Sequence, residues 1–393
     1  MEDNKIMSFS TVESAQKYFD EQAKTDLWLK PYATDIDVAG LEDAEPLMYK
    51  SGVLQIKGQK KNYEKIDSDD DFGISESMSS TGLLISIPNE DGTKRVILPL
   101  RCTAVNGLCS ASGISGPAIS ILDENSRRDA MDADTRAKIF YAGLSRSKMM
   151  NTILIRDQKV TAIASADYAI LPMFRLLKAV NTEVTDHFQS AEFRGCETGY
   201  EITRAEWILH DDEISKNVAK SLTSHGKATK ASDVSISLVF TSSDVGLCEA
   251  RISPVISVKG VSLSIGKAES VRHYGDADIA KFCDICVNVL CGFKNHIKDI
   301  EKMLQITIQN PSSCFKNLMN KLNLQGYGKF VSDTMARIEN EITSTCTAYD
   351  LFWYLGEMVY SKYQGQDDSL FQSIRDSEEI AKVINFDFSK FDC

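Results

Sequence analysis

Apolar residues recur along this chain with two different periods, and the change from one to the other falls near residue 270. Upstream, Val234, Ile236, Leu238 and Phe240 alternate with Ser235, Ser237 and Val239. That two-residue period is the mark of a strand with one buried face. Downstream, Ile279, Phe282, Cys283, Cys286, Leu290, Phe293, Ile297, Ile300 and Leu304 recur at three- and four-residue steps. They form one stripe of a helix that Asp276 or Asp278 can cap and that reaches about Gln305. Further amphipathic segments near 312–324, 328–342 and 345–362, with a weaker one at 368–383, extend the helical region. A chain ordered in this way is expected to be α+β: a β-rich core with inserted helices followed by a C-terminal helical subdomain. The tail Phe386–Cys393 is aromatic and polar and is expected to be loosely ordered.

The upstream part carries its own punctuation. Ser10-Thr11-Val12-Glu13 has the spacing of a capping box before a short helix ending near Lys24. Gly82–Pro88 and Arg95–Leu100 flank a turn ending in Asp91-Gly92, a hairpin signal. Cys102–Ser110 reads as a helix stopped by Gly113 and Gly116-Pro117, and Asp132–Met149 as a longer one. Asn151–Arg156 and Lys159–Ser165 are strands around the polar pair Asp157-Gln158, and Pro172 opens a helix through Val180. Residues 188–209 read as strands, His210–Lys220 as a helix, and Ala250–Val258 and Val261–Ile265 as strands. The expected units are an acidic region 1–94, a mixed core 95–270 and a helical subdomain 271–393.

Charge is unevenly spread. The net formal charge is −12, with a balance of −10 in residues 1–93, +3 in 94–230 and −5 in 231–393. An acidic chain is a poor generic ligand for nucleic acid, because phosphate affinity comes mainly from Lys and Arg. A basic surface is therefore expected only in the middle third. The acidic run Asp67, Asp69, Asp70 and Asp71 lacks the glycine and terminal glutamate of a calcium loop and reads as a solvated loop. No apolar run reaches the roughly 18 residues of a membrane span, and the opening MEDNKIMSFSTVES lacks the basic and apolar regions of a secretory signal. With ten cysteines spread over 393 residues, the expected setting is a reducing cytoplasm, with no membrane partner.

Few residues offer chemistry. Cys283-x-x-Cys286 has Cys291 and His296 nearby, but lies inside a helix stripe with no second pair to complete a zinc tetrahedron, so these cysteines are expected to face a core. The histidines 187, 210, 225, 273 and 296 form no metalloprotease or nucleophile motif. His210-Asp-Asp-Glu213 suits a helix N-terminus without any ion. The glycines between Gly107 and Gly116 leave a helix rather than enter one, so they do not cradle phosphate. No metal and no cofactor is expected. The middle third does interleave cations with rings, a mixture that suits single-stranded nucleic acid.

Several short stretches resemble, in order and spacing, the phage/plasmid-like protein family, a domain of unknown function carried by phages, plasmids and integrated elements. They are Leu108–Ile114, Ile153–Arg156 leading to Lys159–Ser165 and Tyr168, Thr241–Gly246, Arg272-His273-Tyr274-Gly275 and Thr347–Asp350, over about residues 95–360. Thr241 stands where the family usually has asparagine, and Val258–Val261 replaces a cysteine–x–asparagine–glycine stretch. The resemblance implies an accessory protein of a mobile element. The leading expectation is a non-enzymatic protein that contacts single-stranded DNA in replication or recombination, through Arg127, Arg128, Arg146, Lys148, Arg156, Lys159, Tyr168, Arg175, Arg272 and His273. One alternative is an inhibitor of host defence whose acidic N-terminal surface mimics DNA and docks on a host or phage protein. Another is a hydrolase or nucleotide-binding enzyme around His273 and Asp276. A homo-oligomer is compatible with each reading.

Overall fold

The structure, a computed structural model, describes residues 6–40, 49–50, 53–54, 81–88, 95–114, 131, 133–210, 212–227, 230–258, 261–265, 269–364 and 370–392. It is α+β, with antiparallel sheets and a helical C-terminal part. Among the described residues no helix is long and apolar enough to cross a membrane.

The strands in chain order are β1 (Met7–Phe9), β2 (Leu27–Leu29), β3 (Asp37–Gly40), β4 (Tyr49–Lys50), β5 (Val53–Leu54), β6 (Leu83–Pro88), β7 (Arg95–Pro99), β8 (Asn151–Arg156) and β9 (Lys159–Ser165). Then follow β10 (Glu192–Thr198), β11 (Thr203–Ile208), β12 (Val234–Ser242), β13 (Ala250–Val258), β14 (Val261–Ser264), β15 (Glu269–Val271), β16 (Thr307–Ile308) and β17 (Cys346–Thr347). The helices are α1 (Val12–Thr25), α2 (Cys102–Ala111), α3 (Ala133–Leu144), α4 (Met173–His187), α5 (Asp212–Ser224), α6 (Ile279–Gln305), α7 (Pro311–Lys321), α8 (Gly328–Glu341), α9 (Ala348–Tyr363) and α10 (Leu370–Ala381).

Two hydrophobic cores organise these elements. The larger lies on one face of a seven-stranded sheet of order β1-β10-β11-β12-β13-β14, with β15 added to the other end of the β13 edge. Ala205, Trp207, Ile236, Leu238, Phe240, Ile252 and Ile256 point into it, and α1, α4, α5, α6 and α9 supply the opposite wall. The stripe of α6 does what its period requires: Phe282, Cys286, Leu290, Ile297, Ile300 and Leu304 are all buried. The smaller core joins two three-stranded sheets, β3-β6-β7 and β2-β8-β9, under α2 and α3. Helix α2 lies so close to β9 that a Cβ on Gly107 would collide with the Ile163 carbonyl oxygen, so only glycine fits there.

The packing divides the chain differently from the expected boundaries at 94 and 270. β1 pairs with β10 and α1 packs on α4, so the N-terminal segment is built into the larger core; β2 and β3 are built into the smaller one. The C-terminal helices share the larger core with the sheet rather than forming a separate body. β12 is not half-buried either. Ser237, Val239 and Thr241, on its polar side, are as buried as its core side, because α10 lies across that face. The tail is docked rather than loose. Asp392 accepts hydrogen bonds from the Gln309 and Asn310 amides at 2.7 and 2.6 Å at the start of α7, and Phe388 is buried. Asp67 to Asp71, Gly116-Pro117 and the Asp91-Gly92 turn lie outside the described residues.

Candidate nucleic-acid interface

Strands β8 and β9 turn at Asp157-Gln158, both with positive φ (52° and 57°). This is the tight hairpin geometry whose twist matches the flanking strands. The alternation along β8 sends Ile153 and Ile155 into the smaller core and Leu154 and Arg156 to the other face. Arg156 therefore emerges where the two cores meet. Its Nε and Nη2 donate to Asp26 at 2.9 and 2.6 Å, and Nη2 also reaches Asp244 at 2.7 Å. Asp26 ends α1 and Asp244 lies in the turn after β12, so one guanidinium links three distant segments. Burial works against its charge, but Asp244 and Asp26 outweigh that and hold it protonated.

Beside this ion cluster three rings form a column. Trp28 stacks on Tyr168 with centroids 5.8 Å apart, and Tyr168 on His273 at 5.4 Å. The Tyr168 hydroxyl donates to the Asp244 carbonyl oxygen at 2.9 Å and lies 3.3 Å from His273 Nδ1. Its single proton being committed, the tyrosine oxygen accepts from Nδ1–H, which leaves Nε2 to accept from the Ser242 hydroxyl at 3.3 Å. Burial, opposed by Asp244 and Glu249, lowers the His273 pKa from its ordinary value. Both ring nitrogens are engaged within the protein. Burial also pushes the Tyr168 hydroxyl well above the ordinary tyrosine range. A serine beside a histidine suggests a nucleophile, but Ser242 is fully buried. The cavity beside Arg156, lined by Asp26, Trp28, Pro172, Phe174 and Asp244, measures 140 Å³. That is smaller than the roughly 300 Å³ at which small-molecule pockets begin. The chemistry of the cluster is cohesion.

The same sheet face continues outward. In β2 the core side is Leu27 and Leu29, so Trp28, Lys30 and Tyr32 share the opposite side. The pairing runs on past the strand through the Tyr32–Met150 bridge and the bond from Asn151 N to Pro31 O at 2.9 Å. Across the sheet, on the same side, come Met150 and Thr152, then Ala162 and Ala164. At this outer end Tyr32 is 51% and Met149 53% exposed. Lys30, Arg146 and Lys148 are exposed beside them, and none takes part in an ion pair among the described residues. Tyr141, 45% exposed, sits on the last turn of α3, which leads into Arg146.

The ten residues expected to touch DNA thus separate. Arg156, Tyr168 and His273 meet, but internally: Arg156 and His273 are buried and their donors are engaged within the protein. Arg146 and Lys148 lie together on the surface, while Lys159 is half-buried in β9. Arg175 is exposed on α4, its guanidinium 5.6 Å over the Phe174 ring, and Arg272 pairs with Glu249 at 2.8 Å. Arg127 and Arg128 lie outside the described residues. Asp276 is exposed and pairs with Lys281, away from any pocket with His273. Of the cysteine pair, Cys286 is buried and Cys283 partly so, and no cluster able to hold a metal ion occurs among the described residues. Sequence reasoning missed Asp26, Trp28, Lys30, Tyr32, Ser242 and Asp244. The alternation Leu27-Trp28-Leu29-Lys30 was a usable signal for part of that set. Comparison with family models, with curated proteins and with solved structures finds no match to this chain.

Proposed function

We propose that this protein is a non-enzymatic accessory protein of a mobile genetic element that holds single-stranded DNA on the outer end of the β2-β8-β9 face. The observation that carries the reading is the company kept by Lys30, Arg146 and Lys148: three exposed cations without acidic partners among the described residues, beside the exposed ring of Tyr32. Unpaired cations attract the backbone and an open ring stacks a base without regard to sequence. The order of the motifs from Leu108 to Asp350 supports the mobile-element setting. Arg156, Tyr168 and His273 then serve as the mount of this face rather than as contacts.

Fluorescence anisotropy with labelled single- and double-stranded oligonucleotides at two salt concentrations tests it. Binding is expected to favour single strands and to weaken with salt. Neutralising three phosphates on a single strand gives a log–log salt slope of about −2, and the combined Lys30→Ala, Arg146→Ala, Lys148→Ala variant should flatten it. Tyr32→Ala should cost about 1–3 kcal/mol. Absence of binding at low salt sinks the proposal. The acidic balance of residues 1–93 would then favour a protein partner, with loss of pull-down in the Asp67, Asp69, Asp70 and Asp71→Asn variant as its check.

A further inference from the structure

On the side of the large sheet away from its core, α10 folds over the polar face and, with the C-terminal turns of α9 at the β14 edge, leaves a cleft. Its main chamber measures 690 Å³ and a side chamber 270 Å³; Glu197, Arg204, Ser262, Ser264, Ser373 and Ser377 line both. That size is within the range of small-molecule sites, about 300–1,000 Å³. The strand alternation that fills the core with Ile, Leu and Phe necessarily turns Arg204, Glu206, Thr241, Arg251 and Ser253 to this side.

Charges in the cleft are already paired. Glu206, almost fully buried, accepts from Arg194 at 3.1 Å, Arg204 at 2.8 Å and the Ser237 hydroxyl at 2.8 Å. Arg251 pairs with Glu378 at 2.5 Å and donates to the Thr241 hydroxyl at 2.9 Å. A charged ligand would have to break one of these pairs at the full desolvation cost. The groups left open are hydroxyls. Those of Ser253, Ser264 and Ser373 have no hydrogen-bond partner among the described residues, and Ser253 is only 8% exposed. These hydroxyls line the open cleft, where a ligand hydroxyl can take the place of solvent, each such hydrogen bond contributing about 0.5–1.5 kcal/mol. Because a hydroxyl both donates and accepts, its best complement is another hydroxyl. At the mouth Tyr360, 49% exposed, presents a ring on which an apolar ring face can lie.

We propose that this cleft binds a neutral polyhydroxylated molecule of mono- to disaccharide size, a function separate from the DNA-binding face. Serine hydroxyls read its hydroxyls, and the paired arginines and glutamates hold the walls apart without selecting for charge.

Saturation-transfer difference NMR on the full chain, with D-glucose, D-ribose and maltose as probes and inorganic phosphate as the charged competitor, tests this. The expected result is saturable binding of at least one sugar, unaffected by phosphate and weakened about fivefold or more by Ser253→Ala, the loss of one hydrogen bond. Ser373→Trp, which fills the cleft from α10, should abolish it. Ser253→Ala removes one oxygen from a strand and leaves the fold intact, so its effect is readable even if the tryptophan variant does not fold. The proposal fails if no sugar binds saturably, if phosphate displaces the sugar, or if Ser253→Ala binds as the wild type does.

Discussion

Arg156 ties together three segments that lie far apart in the chain. It is 5% exposed and shared between Asp26 and Asp244, so Arg156→Ala leaves two carboxylates facing each other in a poorly hydrated seam. Removing one partner of a buried ion cluster costs about 3–5 kcal/mol. The expected outcome is a large drop in the urea midpoint, with DNA affinity of the folded fraction unchanged; Arg146→Ala should do the reverse. Equal loss of stability in both variants would contradict this assignment. His273 supplies a pH signature. Its folded-state pKa lies below the ordinary 6.5, so between those values the unfolded chain binds more protons than the native one. Stability is then full above about pH 6.5 and falls as the pH drops through the native pKa. Denaturation midpoints measured from pH 7.5 to 5 should fall in the wild type and change less in His273→Gln. Tyr168, Asp244 and Glu249 face or bias this ring, and Asp244 in particular limits the size of the shift.

Among the elements, the local ones were legible. Strands β8 and β9 begin and end where alternation and the polar pair Asp157-Gln158 place them, and Asp278 caps α6 through the Lys281 amide at 2.8 Å. α9 opens with a complete capping box, Thr347 with Asp350. α3 ends earlier than its pattern suggests, at Leu144, because the chain must turn through Ser145-Arg146 to reach the β2-β8 ladder. Helix α2 shows what one missing methyl decides. Gly107→Ala sets a Cβ against the Ile163 backbone, which no rotamer relieves. A loss of about 1–3 kcal/mol is expected, as for overpacking in a tight core, and a midpoint within error of wild type would show that α2 can move off β9. Gly113→Ala is a different case, open space but a φ of 70°, where the cost comes from backbone strain alone.

The whole molecule is held together by exchange between segments far apart in the chain. Residues 1–93 look dispensable by charge, yet they contribute β1 to the large sheet and Leu29, Ile36, Val38, Ile85 and Ile87 to the smaller core. Their deletion should give an insoluble or non-cooperatively unfolding product rather than a trimmed domain, as circular dichroism and thermal melting would reveal. A soluble, cooperative fragment 94–393 would overturn the described packing. Only exchange of the acidic side chains themselves isolates the effect of charge.

The α+β class, most strand and helix positions and the absence of a zinc or calcium motif follow from local chemistry: period, capping and turn residues act within a few positions of themselves. The functional surface does not, because its parts meet only through space. Asp26 is 130 residues from Arg156, and nothing in either neighbourhood marks the other. Arg156 and Arg146 are alike as letters, yet one is buried between carboxylates and the other meets water. The polar side of β12 looked like a solvated face until α10, more than a hundred residues later, covered it and left the cleft. Alternation determines which residues share a side; only the packing of distant elements decides whether that side meets solvent, a salt bridge or an open chamber.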